Sequence, residues 1–142
     1  MISRVLVPMD DSENAASALE FALDVHTDAD VTVLHVVGTP SMMMGGATTL
    51  SLEEDVGEAA AEKAAPVFER ARALADERGR DIDTVVGIGH PVRNVLERAD
   101  DYDAIVIGAH GADRSRATHR FLVGNVADTV SKRAPIPVTI VR

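Results

Sequence analysis

Apolar and polar positions along the chain alternate between strand-like and helix-like patterns. Ile2 to Met9 is an apolar run, continuous at Val5-Leu6-Val7, as in a strand buried on both faces, and Pro8 closes it. Asp10-Asp11-Ser12-Glu13 then supplies a cap and first-turn acids, and Ala15, Leu19, Ala22 and His26 step round one helical face. Val31 to Val37, VTVLHVV, reads as a second buried strand ended by Gly38-Thr39-Pro40. Residues 41 to 51 read as a loop, because Gly45-Gly46 deny regular structure; Met42, Met43 and Met44 give it soft apolar cover for a neighbouring surface, a dimer partner or a ligand. The longest helical pattern runs from Leu52 to Arg78, with Ala60, Ala64, Val67, Ala71 and Leu74 on one stripe. Pro66 should bend or interrupt it, and Gly79 should stop it.

Ile82 to Ile88 reads as a third strand, followed by the turn Gly89-His90-Pro91 with proline at the first helical position. Val92, Val95, Leu96 and Ala99 form a short apolar stripe, and Asp103 to Ile107 a fourth strand. A further helix runs to about Arg133, and Pro135-Ile136-Pro137 delivers Val138 to Val141 as the last strand. Helix-length connections between consecutive strands predict an α/β fold: an open, doubly wound, five-stranded parallel sheet with helices on both faces. The whole chain, residues 1–142, reads as one domain.

In such a sheet ligands bind beyond the carboxyl ends of the strands, where strand order reverses. The stretch from Ile105 to Val130 is the strongest candidate, because an apolar run empties into Gly108-Ala109-His110-Gly111 and Gly124-Asn125 opens a helical pattern. Backbone N–H groups of a glycine turn facing a helix N-terminus suit a phosphate. Asp10, after the first strand, is an acid able to bind ribose hydroxyls or a nucleobase amine, so the two together suit a nucleotide. His110 has three readings: donating to a phosphate, orienting a water, or capping the turn.

Charge narrows the partners. The net charge of −9 argues against general nucleic-acid binding. Against that background Arg114, Arg116, His119 and Arg120 cluster, either as a solvated loop or as a complement to a polyphosphate. The absence of cysteine excludes disulfides and thiolate zinc sites and is compatible with a reducing compartment. No stretch approaches a membrane span and the N-terminal apolar run is too short for a signal peptide, so a soluble cytoplasmic protein is expected.

Other chemistry is set aside. There is no phosphate-loop, zincin or nucleophile-elbow motif, and Gly87-Ile88-Gly89 lacks the third glycine of a dinucleotide fingerprint. The five histidines have no metal-ligand spacing, and His35 reads as a packed core residue.

These residues resemble the universal stress protein family along the whole chain. The likeness lies in Pro8-Met9-Asp10-Asp11-Ser12, Leu34-His35-Val36, Gly89-His90-Pro91, and Gly108-Ala109-His110-Gly111 through Gly124-Asn125-Val126 to Pro137-Val138. The resemblance implies the strand order 3-2-1-4-5, a Rossmann-like adenine-nucleotide site, and ATP with Mg²⁺ possible through the phosphates. It places Pro8 and Asp10 at the ribose or adenine side, the Val36 backbone against adenine, and Ile107 with Gly108 along the ribose and phosphates. Gly111, Gly124, Asn125 and Val126 would offer amides to the phosphates, with His110 and Arg114 as further contacts. It also implies a homodimer through Val138 to Val141, and a nucleotide-dependent switch or binding module with at most slow ATP hydrolysis. Two positions depart from the family pattern G-x2-G-x9-G-[ST]: residues 112 to 123 make a longer spacer, and Asn125 replaces Ser or Thr. The alternative within the family is a dimerising interaction protein that binds no ATP. The ATP pyrophosphatases of similar fold expect a Ser-Gly-Gly-rich loop after strand one, which is not present.

Overall fold

The structure, a computed structural model, describes residues 1–38, 53–109 and 126–142. Strands β1 (Arg4–Pro8), β2 (Asp30–Val37), β3 (Asp83–Ile88), β4 (Ala104–Gly108) and β5 (Val138–Val141) form one sheet in the order β3-β2-β1-β4-β5. All four neighbouring pairs are parallel. Helix α1 (Glu13–Val25) joins β1 to β2, and α2 (Glu53–Asp76) precedes β3. Helix α3 (Pro91–Arg98) and a 3-10 turn (Ala99–Asp101) lead to β4, and α4 (126–133) leads to β5. The doubly wound α/β sheet and its strand order are as expected.

Alternation along the strands sorts the core into two layers. Val5, Val7, Val31, Val33 and Val106 pack on the apolar stripes of α1 and α2, against Leu19, Leu23, Val67 and Phe68. Leu6, Leu34, Ile105 and Ile107 point to the other face, against Val95, Ala99, Tyr102, Ala127 and Val130. Leu6, Leu19, Leu23, Leu34 and Ile105 are fully buried, and each such side chain contributes about 1.5–3 kcal/mol relative to exposure. Among the described residues the charged side chains therefore lie outside a core built almost wholly from Ala, Val, Leu and Ile.

Helix ends follow local chemistry. Ser12 Oγ accepts the Ala15 N–H at 3.1 Å, capping α1, with Glu13 in the first turn. After α2, Gly79 adopts φ 63°; its N–H donates to Asp76 O at 3.0 Å and that of Arg80 to Ala75 O at 2.9 Å. This is a Schellman stop, and the predicted glycine supplies it. Arg80 then reaches back to Leu23 O (2.6 Å), His26 O (3.1 Å) and Ala29 O (2.6 Å), satisfying carbonyls at and beyond the end of α1. Arg78 adds ion pairs to Asp24 (2.7 Å) and Glu20 (3.1 Å), tying α1 to α2.

Two expectations need correction. Pro66 does not interrupt α2, which is one continuous helix. Pro66 and Glu62 are both exposed, so the Glu62 carbonyl deprived of its donor can be solvated by water. Gly108 is the last residue of β4 and not the first residue of the following turn.

At the amino edge, Asp103 accepts the N–H groups of Ser3 (2.8 Å) and Arg4 (3.0 Å), and its own N–H donates to Arg4 O at 2.8 Å. The Arg4 guanidinium lies 4.9 Å from the Tyr102 ring centroid. Among the described residues, no helix is long and apolar enough to cross a membrane.

The backbone bonds from Ser3 and Arg4, with smaller contributions from the N-terminal amine and Arg4 charges, hold the Asp103 carboxyl below its ordinary value of 3.8. A depressed carboxylate stabilises the fold above its unfolded value, and that stability is lost as pH falls through the folded value. Asp103→Asn is therefore expected to flatten the acid limb of stability below about pH 4, as followed by urea unfolding at stepped pH. An acid limb identical to that of the parent protein would refute this.

Candidate functional site

The reversal of strand order lies at β1, which has β2 on one side and β4 on the other. From β1 the chain winds through α1, β2 and α2 to β3 on one side, then returns across the sheet to β4. Such a reversal leaves a crevice outside the carboxyl ends of the two strands where it occurs.

Pro8 shapes that crevice. The Met9 N–H donates to Leu34 O at 2.8 Å, so residue 9 faces β2. Backbone groups alternate sides along a strand, so the ring nitrogen of Pro8, which carries no proton, faces β4. The β1–β4 register accordingly ends at Leu6↔Ile105, before Pro8 is reached, while β1–β2 continues to Pro8↔Leu34. The ladder between this central strand and β4 thus stops at Leu6, two residues before the carboxyl end of β1, at the switch point.

The same alternation exposes backbone on β2. Leu34 O is taken from the β1 side, and Val37 O accepts the Gly89 N–H at 2.9 Å from the β3 side. Val36 N–H and C=O therefore face the β1 side, one step past the last β1–β2 bond. They have no hydrogen-bond partner among the described residues. A donor and an acceptor side by side can pair with the edge of a planar base. The Val36 side chain joins Leu6, Leu34, Ile107 and Val126 in one apolar layer on the α3–α4 face.

Asp10 follows β1 directly and is half-buried. Its Oδ1 accepts the Ser12 N–H at 2.9 Å, and Oδ2 has no hydrogen-bond partner among the described residues. Among the predicted residues, then, Pro8, Asp10, Val36, Ile107, Gly108 and Val126 occupy the carboxyl edge or the layer beneath it. His110, Gly111, Arg114, Gly124 and Asn125 lie outside the described residues, as do the remaining basic cluster and the methionine-rich segment.

Gly108 is a glycine for reasons of space. A Cβ there would lie 2.5 Å from Asn14 O, 2.6 Å from Asn14 C and 2.8 Å from Ala15 N, all backbone of the first turn of α1. That approach lets Asn14 Nδ2 donate to Ala109 O, while the Ala109 N–H donates to Val141 O at 2.7 Å. The end of β4 is held between α1 and β5.

Sequence reasoning missed several supporting side chains. His35 is half-buried, and its Nδ1–H donates to Met9 O at 2.7 Å, so it is not simply a packed core residue. Arg70 donates to Asp11 O (3.0 Å) and to Glu13 Oε1 (2.8 Å). Buried Asn94 donates to Ile88 O (3.1 Å) and His90 O (2.9 Å) and accepts from Arg98 at 2.8 Å. That amide accounts for Gly87, where any Cβ would collide with it, and Gly89 has φ 112°. Both glycines thus serve the β3–α3 turn. The one available signal was a polar residue on an otherwise apolar face, as at His35 and Asn94. Among the described residues no group of three or more His, Asp or Glu side chains could hold a metal ion.

The model of the universal stress protein family matches residues 1–142. The universal stress protein YxiE of Bacillus subtilis is 26% identical over 151 residues, covering 100% of both chains. The universal stress protein UspA from Lactobacillus plantarum superposes with a TM-score of 0.74 at 25% identity, covering 99% of this chain and 98% of that one. Two further solved structures share the fold. One is a universal stress protein in complex with cAMP (TM-score 0.65, 22% identity, 99% and 97% covered). The other is a family protein from Arabidopsis thaliana with AMP bound (TM-score 0.66, 16% identity, 98% and 90% covered).

Gly108→Ala is expected to cost about 1–3 kcal/mol, because helix backbone must move to admit the methyl group. Gly38→Ala, where no described residue lies within 4 Å of the added Cβ, should change stability by less than about 0.5 kcal/mol. Chemical denaturation of the two variants checks the contrast, and equal effects would contradict the close approach.

Proposed function

Since the chain belongs to the universal stress protein family, we propose that it binds an adenine nucleotide, ATP with Mg²⁺ carried on the phosphates, in the crevice between β1 and β4. The observation that carries this reading is the meeting, at one switch point, of the Val36 backbone, unpaired among the described residues, the Asp10 carboxylate and the ends of β1 and β4 beyond their last ladder pair. Relatives of the same fold holding cAMP and AMP support the choice of adenine.

In this reading Val36 N–H and C=O pair with adenine over the apolar layer of Leu6, Ile107 and Val126, and Pro8 keeps the crevice open. Asp10 Oδ2 accepts from the ribose hydroxyls. Gly108 lines the path to the phosphates, and Gly111, Gly124, Asn125 and Val126 offer them backbone amides, with His110 and Arg114 as charged or polar contacts. The bound cation would neutralise phosphate charge in a chain of net charge −9. We assign no catalytic residue; the protein acts in the cytoplasm as a nucleotide-dependent switch or binding module. A homodimer is built on β5, which has a sheet neighbour on one side only and exposes Ile140.

A second reading, an interaction protein without ATP, is favoured by the long 112–123 spacer and by Asn125. Denaturing freshly purified protein and assaying released nucleotide, followed by thermal melts with ATP and Mg²⁺, separates the two. Ligand at a hundredfold over its dissociation constant adds about 2.7 kcal/mol, so the melting temperature should rise by several degrees. Gly111→Val is expected to abolish the rise. Neither released nucleotide nor a shift at millimolar ATP would decide for the second reading.

For the dimer, sedimentation velocity should give twice the chain mass for the parent protein and a monomer for Ile140→Lys. A parent protein that sediments as a monomer would exclude it.

A further inference from the structure

We propose that His35 and Arg70 are positioning residues for Asp10, fixing the direction in which its carboxylate faces the crevice; this rests on the nucleotide reading above. Asp10 lies in the short link between β1 and the Ser12 cap of α1. The carbonyls on either side of it are both held by side chains. Met9 O accepts His35 Nδ1–H at 2.7 Å, and Asp11 O accepts from Arg70 Nη1 at 3.0 Å.

The two donors come from different elements, β2 and α2, and approach the link from outside it. Peptide planes that would otherwise rotate with water as their partner are each fixed to a separate part of the scaffold. Arg70 also grips Glu13 at 2.8 Å, so one guanidinium spans the link and the first turn of α1. The Ser12 N–H bond to Asp10 Oδ1 completes the arrangement and leaves Oδ2 without a hydrogen-bond partner among the described residues.

The residue types support the assignment. On β2, His35 shares the α1–α2 side with Val31, Val33 and Val37, a position where an aliphatic side chain would serve packing alone. An imidazole there gives up apolar volume and gains a donor, which it directs at the residue before Asp10. Arg70 is a partly exposed side chain, yet its fork points at the link and not into solvent.

The test uses the full chain and titrates ATP and 2′-deoxy-ATP with Mg²⁺ by calorimetry. His35→Phe keeps the ring volume and removes the donor; His35→Asn keeps an N–H. We expect His35→Phe to weaken ATP about tenfold and to reduce the preference for ATP over the deoxy form, with His35→Asn restoring part of both. Arg70→Met should act in the same direction. Added to Asp10→Asn, His35→Phe should cause little further loss, because it acts through the carboxylate already removed. In the ligand-free protein, the Ser12 amide should exchange about tenfold faster in His35→Phe, read by NMR. Unchanged affinity and preference in a less stable His35→Phe, or losses that add to those of Asp10→Asn, would overturn the proposal. If the parent protein binds no adenine nucleotide, the parent reading falls and this role with it; the Ser12 exchange rate then still tells whether the clamp exists.

Discussion

Pro8 sits at the end of the central strand of a parallel sheet, where its ring nitrogen has no proton to give to β4. Interior strands rarely tolerate proline because a ladder bond is lost. Here the loss falls on one side only. The ladder to β2 persists through the Met9 N–H, while pairing with β4 stops at Leu6↔Ile105. The β1–β4 ladder thereby ends at the place where strand order reverses, and Asp10 follows two residues beyond Pro8. The remaining features of the edge follow from how the ends of β1 and β4 are held beyond their last ladder pair. The Met9 and Asp11 carbonyls are taken by His35 and Arg70, and the end of β4 is pressed against α1 at Gly108.

Much of this was legible from period and punctuation. Apolar runs named the strands, the segment Asp10 to Glu13 the first cap, Gly79 the stop of the long helix, and Pro91 the start of α3. The strand order came with the family resemblance, and the paired location of Asp10 and Gly108 from the rule that ligands bind where strand order reverses. What could not be read were relations between elements distant in sequence. Gly108 looks like any turn glycine until the first turn of α1 is seen resting on it, and Gly87 until the Asn94 amide fills its space. His35 reads as core in a string of valines; only the fold brings Met9 O within reach. The interruption expected at Pro66 fails for the opposite reason, since the cost of a lost bond depends on whether water can replace it, and burial is not written in the local pattern.

The two faces of the sheet are held differently. On one, α1 and α2 are joined by Arg70, Arg78 and Arg80 through ion pairs and carbonyl bonds, in addition to the alanine-rich packing beneath. On the other, α3 is short and its Asn94–Arg98 pair serves the turn that precedes it. The crevice lies above both layers. In the proposed site the first would support Asp10 and the second would be the apolar floor under a bound ring.

The strand order also bears on how the chain comes off the ribosome. β1 is made first but is central, so β2 can join it early while its other edge waits until residues 104–108 have emerged. The carbonyls of Leu23 and Ala29 wait similarly for Arg80. A nascent chain synthesised as far as Val37 thus carries a complete strand–helix–strand unit with an unpaired inner edge and an unsealed helix end. Such an edge is open to pairing with other chains during synthesis. The Pro8 ring shortens the exposed ladder at one end, giving the growing chain some protection before the fold can close over it.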